Sequence, residues 1–112
     1  TGAVRSSDVD HLAYHLISPI GLRRLAERYH KGDVNYPPYN AYLGIPATNL
    51  INHLVAHLEK YRAGDRADDH LAAIAWGAFT LMHFEETRPD MMDIETYPLR
   101  TLNADGSKYE SK

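Results

Sequence analysis

Two stretches of helical periodicity meet at Gly64, and that junction constrains the fold more than any other feature of this chain. Before it, Leu50, Ile51, Leu54, Leu58 and Tyr61 recur at helical spacing. After it comes a run that is apolar nearly all round, LAAIAWGAFTLMHF. A helix of that kind has to be the most buried one. Small residues (Ala72, Ala73, Ala75, Gly77, Ala78) would let its neighbours approach closely. Gly64 itself serves as a helix stop. The sequence therefore predicts a helix hairpin over residues 49–63 and 67–86. Thr48 is the expected cap of its first arm, and Asp65 or Ala67 the start of its second. Arg88-Pro89 closes the second arm.

A further helix is expected over residues 19–31. Ser18 is a good N-cap, Pro19 suits the first helical position, and Ile20, Leu22, Leu25, Ala26 and Tyr29 form one apolar stripe. Gly32 is its expected stop. The fold class that follows is all-α: a small helical bundle built on the hairpin 49–63 and 67–86 plus helix 19–31. The last helix is apolar on too many faces for three helices to cover, so oligomerisation is expected to complete the bundle.

With 112 residues the chain makes one domain. Residues 1–10 read as a flexible lead-in, 11–90 as the helical domain and 91–112 as an extended tail. Residues 33–46 are expected to be irregular, because Pro37, Pro38, Gly44 and Pro46 interrupt any regular helix. A loop of about 14 residues is long for a compact domain, and loops of that length are often functional. This one carries Tyr36, Tyr39 and Tyr42 together with Asn35 and Asn40. Its bland reading is a surface loop packed by its own tyrosines.

Composition excludes some chemistry. There is no cysteine, which removes disulfides, thiolate catalysis and cysteine–zinc sites and suits a reducing cytosol. A formal charge of −3 argues against a binder of duplex nucleic acid, which would want a basic face. No apolar run approaches the roughly 18 residues of a membrane span, so no membrane partner is expected.

The chemistry-bearing residues cluster around Gly64. His53 and His57 stand at i and i+4, so both point to one helix face. Without a glutamate beside the first, they are not the zinc-protease motif. Across the turn lie Asp65, Asp68, Asp69 and His70. In a hairpin, residues equally far from the turn face each other, which brings His57 to the neighbourhood of Asp69. Imidazoles and carboxylates in one groove are ligands for a divalent ion. Asp68 reads as an acid serving the helix dipole. The expected metal ligands are Asp69, His57, His53 and His70, with His57 and Asp69 catalytic and Mg²⁺ or Mn²⁺ as the ion. Lys31 and Arg62 sit near loop ends and could meet phosphates. His83, beside Phe84, reads as a core histidine, and Trp76 as core or as a base-stacking indole. Glu85 and Glu86 read as solvated or paired with Arg88.

Four segments together resemble a phage family, the N-terminal domain called dATP/dGTP diphosphohydrolase, allied to the MazG-like all-α nucleotide pyrophosphohydrolases. They are HLISPIGLRRLAERYHKG, YPPYNAYLGIP, LINHLVAHLEKYRAGDRADDHLAAIAW and LMHFEETRP, and they span about residues 12–90. The chain departs from the family pattern at Asn35, where a lysine is usual, at Ala41, where an aromatic is usual, and at His15, where a carboxylate is usual. The carboxylate quartet typical of MazG proteins is absent. The resemblance implies metal-dependent hydrolysis of a (deoxy)nucleoside triphosphate to the monophosphate and pyrophosphate, in the host cytoplasm. On that reading 11–90 is a nucleotide-handling domain, with Lys31, Tyr36, Asn40 and Arg62 as substrate-binding residues. Two other readings stand beside it: a non-catalytic protein that sequesters a nucleotide, and a structural protein with an inert site.

Overall fold

The computed structural model describes Gly2 and residues 11–94. The lead-in of residues 1–10, apart from Gly2, and the tail from 95 onward lie outside the described residues. Among the described residues there are three α-helices, short 3-10 turns and no strand. The helices are α1 (Pro19–Asn35), α2 (Ala47–Arg62) and α3 (His70–Thr87). The described part of the protein is all-helical, in keeping with the stripe spacing. None of these helices is long and apolar enough to cross a membrane.

The helix boundaries differ from expectation for local physical reasons. Ser18 caps α1, its Oγ accepting from the Gly21 N–H at 3.1 Å. Gly32 does not stop the helix, because glycine in a helix interior costs only about 1 kcal/mol. The stop is Tyr36, which precedes Pro37 and is held extended (φ −138°, ψ 157°). The irregular stretch therefore runs from Tyr36 to Pro46, with a 3-10 turn at Asn40–Leu43.

Helix α2 starts one residue before Thr48, with Pro46 at the N-cap. Thr48 is not the cap. Its N–H and Oγ–H both donate to the Asp93 carboxylate, at 2.9 and 2.7 Å. A carboxylate there satisfies an orphan amide and suits the positive end of the helix. The other end follows the sequence closely. Gly64 has φ +91°, and the amides of Gly64 and Asp65 bond back to Tyr61 and Lys60 at 3.1 Å each. That is a Schellman closure around an αL glycine.

Residues 65–69 are a tight turn, so α3 begins later than expected. Asp65 Oδ1 accepts from the Ala67 N–H at 2.8 Å, and the Arg66 guanidinium lies 3.9 Å over the Tyr61 ring. Asp69 is the N-cap of α3, accepting from the Ala72 N–H at 3.1 Å.

Helix α3 packs on both α1 and α2 and is the central helix. Phe84 of α3 and Leu50 of α2 are the largest fully buried side chains, and Ala72, Ala73 and Leu25 are buried as well. Close approach of α2 depends on Gly77: a Cβ there would lie 2.5 Å from Leu54 Cδ2 and 3.1 Å from its Cγ. Even so, Leu71, Phe79 and Met82 of α3 remain exposed. Arg88 pins the tyrosine loop to the end of α3. It pairs with Asp90 at 2.7 Å, not with Glu85 or Glu86, and donates to the Leu43 carbonyl at 3.2 Å.

Gly77→Val is expected to destabilise the protein by about 1–3 kcal/mol through overpacking against Leu54. Urea denaturation followed by circular dichroism checks this; unchanged stability would show that α2 and α3 do not depend on that contact.

Candidate functional site

Arg24, Arg28 and Lys31 stand at i, i+4 and i+7, which places three cations on one face of α1. That face meets the acidic head of α3. Arg24 grips Asp69 through two hydrogen bonds, Nε to Oδ2 at 2.8 Å and Nη2 to Oδ1 at 2.6 Å. Arg28 Nη1 donates to both oxygens of Asp68, at 2.8 and 3.0 Å, and Lys31 Nζ adds a third bond at 3.3 Å. Charge-assisted bonds of this kind favour the ionised acid. The bond from Arg28 holds the Asp68 carboxyl far below the usual carboxylate range. The bond from Arg24 lowers Asp69 in the same way.

Behind this ladder lies a row of imidazoles. His53 and His57 are one turn apart on α2, with ring centroids 4.5 Å apart and edge to face. His57 is buried, and its Nδ1 lies 2.8 Å from Nδ1 of the buried His70. One ring donates and the other accepts, so a proton on every nitrogen is disfavoured. Burial lowers the proton affinity of His57, with the neighbouring charges of His53 and Arg28 adding to it. Burial also lowers that of His53, helped by Arg28.

His57, Asp68 and His70 bring one ligand atom each within 4.8 Å of one another. His70 Nε2 is buried without a hydrogen-bond partner. The Asp65 carboxylate approaches it to 3.4 Å, within ion-pair range but outside hydrogen-bond geometry. A buried orphan nitrogen is expensive and uncommon in a native core. Two imidazoles and a carboxylate converging in one group are a donor set that fits a divalent cation.

Next to the cluster opens a cleft of about 610 Å³. Each helix gives one ring to its lining: Tyr29 from α1, His53 from α2 and Trp76 from α3. Trp76 lies 6.4 Å from Tyr29 and 5.8 Å from His53 between centroids. The loop adds Tyr36, Tyr39, Tyr42 and Asn40, and α1 adds Arg28 and Lys31. Tyr39 has φ +63° and ψ 15°, in a turn closed by Asn40 N–H to the Pro37 carbonyl at 3.1 Å. Such a turn normally takes glycine or asparagine at that position. The αL conformation costs about 1–2 kcal/mol here, yet the Tyr39 ring is 79% exposed.

The sequence-derived residues therefore separate. His53, His57 and His70 lie in one row of rings, but the group whose ligand atoms converge takes in His57 and His70 and not His53. The acid brought to them is Asp68, and Asp69 is not among the ligand atoms. The reason is local: as N-cap, Asp69 spends its carboxylate on the Ala72 N–H and on Arg24. Lys31, Tyr36 and Asn40 share the cleft, whereas Arg62 pairs with Glu59 at 3.2 Å on an exposed part of α2. His83 is exposed, not core, and rests its ring 4.9 Å from that of Tyr42. Arg24 and Arg28 went unnoticed in the sequence, and Tyr29 was read only as part of an apolar stripe, not as a cleft residue. The signal that finds the two arginines is three cations at i, i+4 and i+7 on a helix preceding an acidic turn.

The family model described as dATP/dGTP diphosphohydrolase, N-terminal, matches residues 1–94. The chain belongs to this family. No curated protein and no solved structure matches it. The family's name speaks of a nucleotide hydrolase, and its match covers the helices, the cleft and the His–Asp cluster alike.

Proton linkage gives a two-stage acid response. His53 and His57 bind protons less readily when folded, so the unfolded chain takes them up first as pH falls below about 6.5. Their stabilisation is complete above that pH and declines below it. Asp68 and Asp69, depressed when folded, contribute above about pH 4 and lose that contribution as pH falls further. Thermal melts from pH 8 to 2 are expected to show both declines, the lower one shallower in Asp68→Asn. A melting temperature that stays flat from pH 8 to 5 would contradict the buried, neutral histidines.

Proposed function

We propose that this domain acts in metal-dependent hydrolysis of a (deoxy)nucleoside triphosphate to the monophosphate and pyrophosphate, in phage nucleotide metabolism within the host cytoplasm. One observation carries this reading: Arg28 and Lys31 hold the carboxylate of the His57–Asp68–His70 cluster and also line the aromatic cleft. A nucleotide with its base in the cleft then has its phosphates at the cluster.

The chain's groups divide the work. His57, His70 and Asp68 would hold the ion, and two imidazoles with one carboxylate suit Mn²⁺ better than Mg²⁺. An ion held there would supply neutralisation of phosphate charge and a lowered pKa for a water. His53, neutral near pH 7 and edge-on to His57, is the base that accepts the water's proton. Arg28 and Lys31 hold phosphate oxygens. Tyr36, Tyr39 and Trp76 offer stacking faces, and the Asn40 amide offers one donor and one acceptor side to a base edge. The strain retained at the exposed Tyr39 is consistent with a ligand-facing role. Asp69 acts through Arg24, fixing α1 against the head of α3.

Sequestration without turnover is the second reading. It is favoured by the pairing of Asp68 with two cations, because that carboxylate has to be released before it can hold an ion. A second copy of the chain is proposed to cover Leu71, Phe79 and Met82, which form an uncovered apolar stripe.

Incubation with a panel of nucleoside triphosphates and Mn²⁺ or Mg²⁺, with products resolved by chromatography, tests the reading. Monophosphate and pyrophosphate are expected, with losses of about 100-fold or more in His53→Ala and Asp68→Asn. Quenching of Trp76 without any turnover would identify the sequestering protein instead. Light scattering on the same sample is expected to exceed the 12.7 kDa of one chain; a monomer would remove the second copy.

A further inference from the structure

Asp68 belongs to two sets of partners at once. Its carboxylate is a member of the His57–Asp68–His70 donor group. The same oxygens accept from Arg28 at 2.8 and 3.0 Å and from Lys31 at 3.3 Å. Arg28 and Lys31 in turn line the aromatic cleft. One carboxylate cannot neutralise two cations and a divalent ion together. We propose that Asp68 exchanges partners: Arg28 and Lys31 hold it in the free protein, a divalent ion takes it in the complex, and nucleotide phosphates then take Arg28 and Lys31. The exchange makes metal and nucleotide bind cooperatively, and its phosphate half rests on the nucleotide reading above.

Charge balance explains why neither ligand completes the exchange alone. Arg28, Lys31 and Asp68 carry a net charge of +1. A divalent ion by itself raises that to +3 and leaves two cations unpartnered beside it. The pair is also shielded from water, with the Arg28 side chain only 16% exposed and Asp68 31% exposed. Stripping one member from a partly buried pair leaves an uncompensated charge, which is strongly unfavourable. Phosphates by themselves take the cations and leave the Asp68 anion facing them. With both ligands present each charge has an opposite neighbour. Ion and nucleotide then strengthen each other's binding by the same factor, as linkage requires. The metal side of the exchange is the His57–Asp68–His70 group, whose ligand atoms all lie within 4.8 Å of one another. The cleft rings mark the other side.

Two titrations on the full chain test this, neither relying on turnover. In the first, Mn²⁺ is added without nucleotide and the unbound ion is read by electron paramagnetic resonance. Arg28→Met keeps the aliphatic stem and removes the competitor, so it is expected to bind Mn²⁺ tenfold or more tightly than the wild type. Lys31→Met is expected to tighten it by a smaller factor. Lys31 is 60% exposed, so its variant reads the effect without threatening the fold. Asp68→Asn is expected to lose Mn²⁺ binding. In the second titration, Trp76, the chain's single tryptophan, reports binding of α,β-methylene-dATP by fluorescence quenching in metal-free buffer. Asp68→Asn frees both cations and is expected to tighten the analogue tenfold or more. If Arg28→Met and Lys31→Met leave Mn²⁺ affinity unchanged or weaken it, the cations only position Asp68 and the exchange is wrong. Where the analogue does quench Trp76, equal or weaker binding of it by Asp68→Asn overturns the exchange as well. A different pattern separates the underlying reading: tightened Mn²⁺ binding in Lys31→Met, with no quenching by the analogue in any variant, removes the nucleotide and leaves the exchange at Asp68 standing.

Discussion

Three cations on one face of α1 meet two carboxylates at the head of α3, and the rest of the site depends on that contact. Arg24 on Asp69 and Arg28 with Lys31 on Asp68 set how α1 lies along the hairpin. With α1 in that position, Tyr29 reaches Trp76 and the cleft has a closed side. The pairs are partly exposed, so their contribution to stability is modest. Their larger effect is on position. A bidentate contact from Arg24 and a forked one from Arg28, a turn apart, fix both the register and the rotation of α1, which an apolar stripe with one buried leucine, Leu25, would leave loose.

The core beneath the ladder is unusual in what it buries. Alongside Leu50 and Phe84 it takes in His57 and His70. The two rings satisfy each other through one hydrogen bond, Nδ1 to Nδ1 at 2.8 Å, while His70 Nε2 is left without a hydrogen-bond partner. Gly77 contributes indirectly: by letting Leu54 sit against α3 it draws α2 close enough for His57 to reach His70.

Much of this was legible in the sequence, because it depends on short-range rules. The three helices, the Ser18 cap and the αL closure at Gly64 follow from spacing and backbone preference, although Ile20, Leu22 and Ala26 of the α1 stripe and Leu58 of the α2 stripe stay exposed. The three histidines fall in one row because i, i+4 spacing and hairpin symmetry leave them little choice. What was not legible depends on partners distant in the chain. Thr48 looks like a cap until Asp93 arrives from 45 residues away. Asp68 looks like a dipole acid, and Asp69 like a ligand, until the start of α3 is known to the residue. A shift of the start from Ala67 to His70 makes Asp69 the cap and turns its neighbour to the histidines. His83 looked buried because its helix is apolar, but its position along α3 faces the tyrosine loop. The basic row of α1 had no meaning until the acids opposite it were placed.

Diffraction from crystals grown with Mn²⁺ and a non-cleavable deoxynucleoside triphosphate tests the central claim most directly. Anomalous scattering is expected to place the ion among His57, Asp68 and His70, with the phosphates on Arg28 and Lys31 and the base between the loop tyrosines and Trp76. An ion on Asp65 or Asp69 instead, with Arg28 still on Asp68 and the aromatic cleft unoccupied, would contradict it.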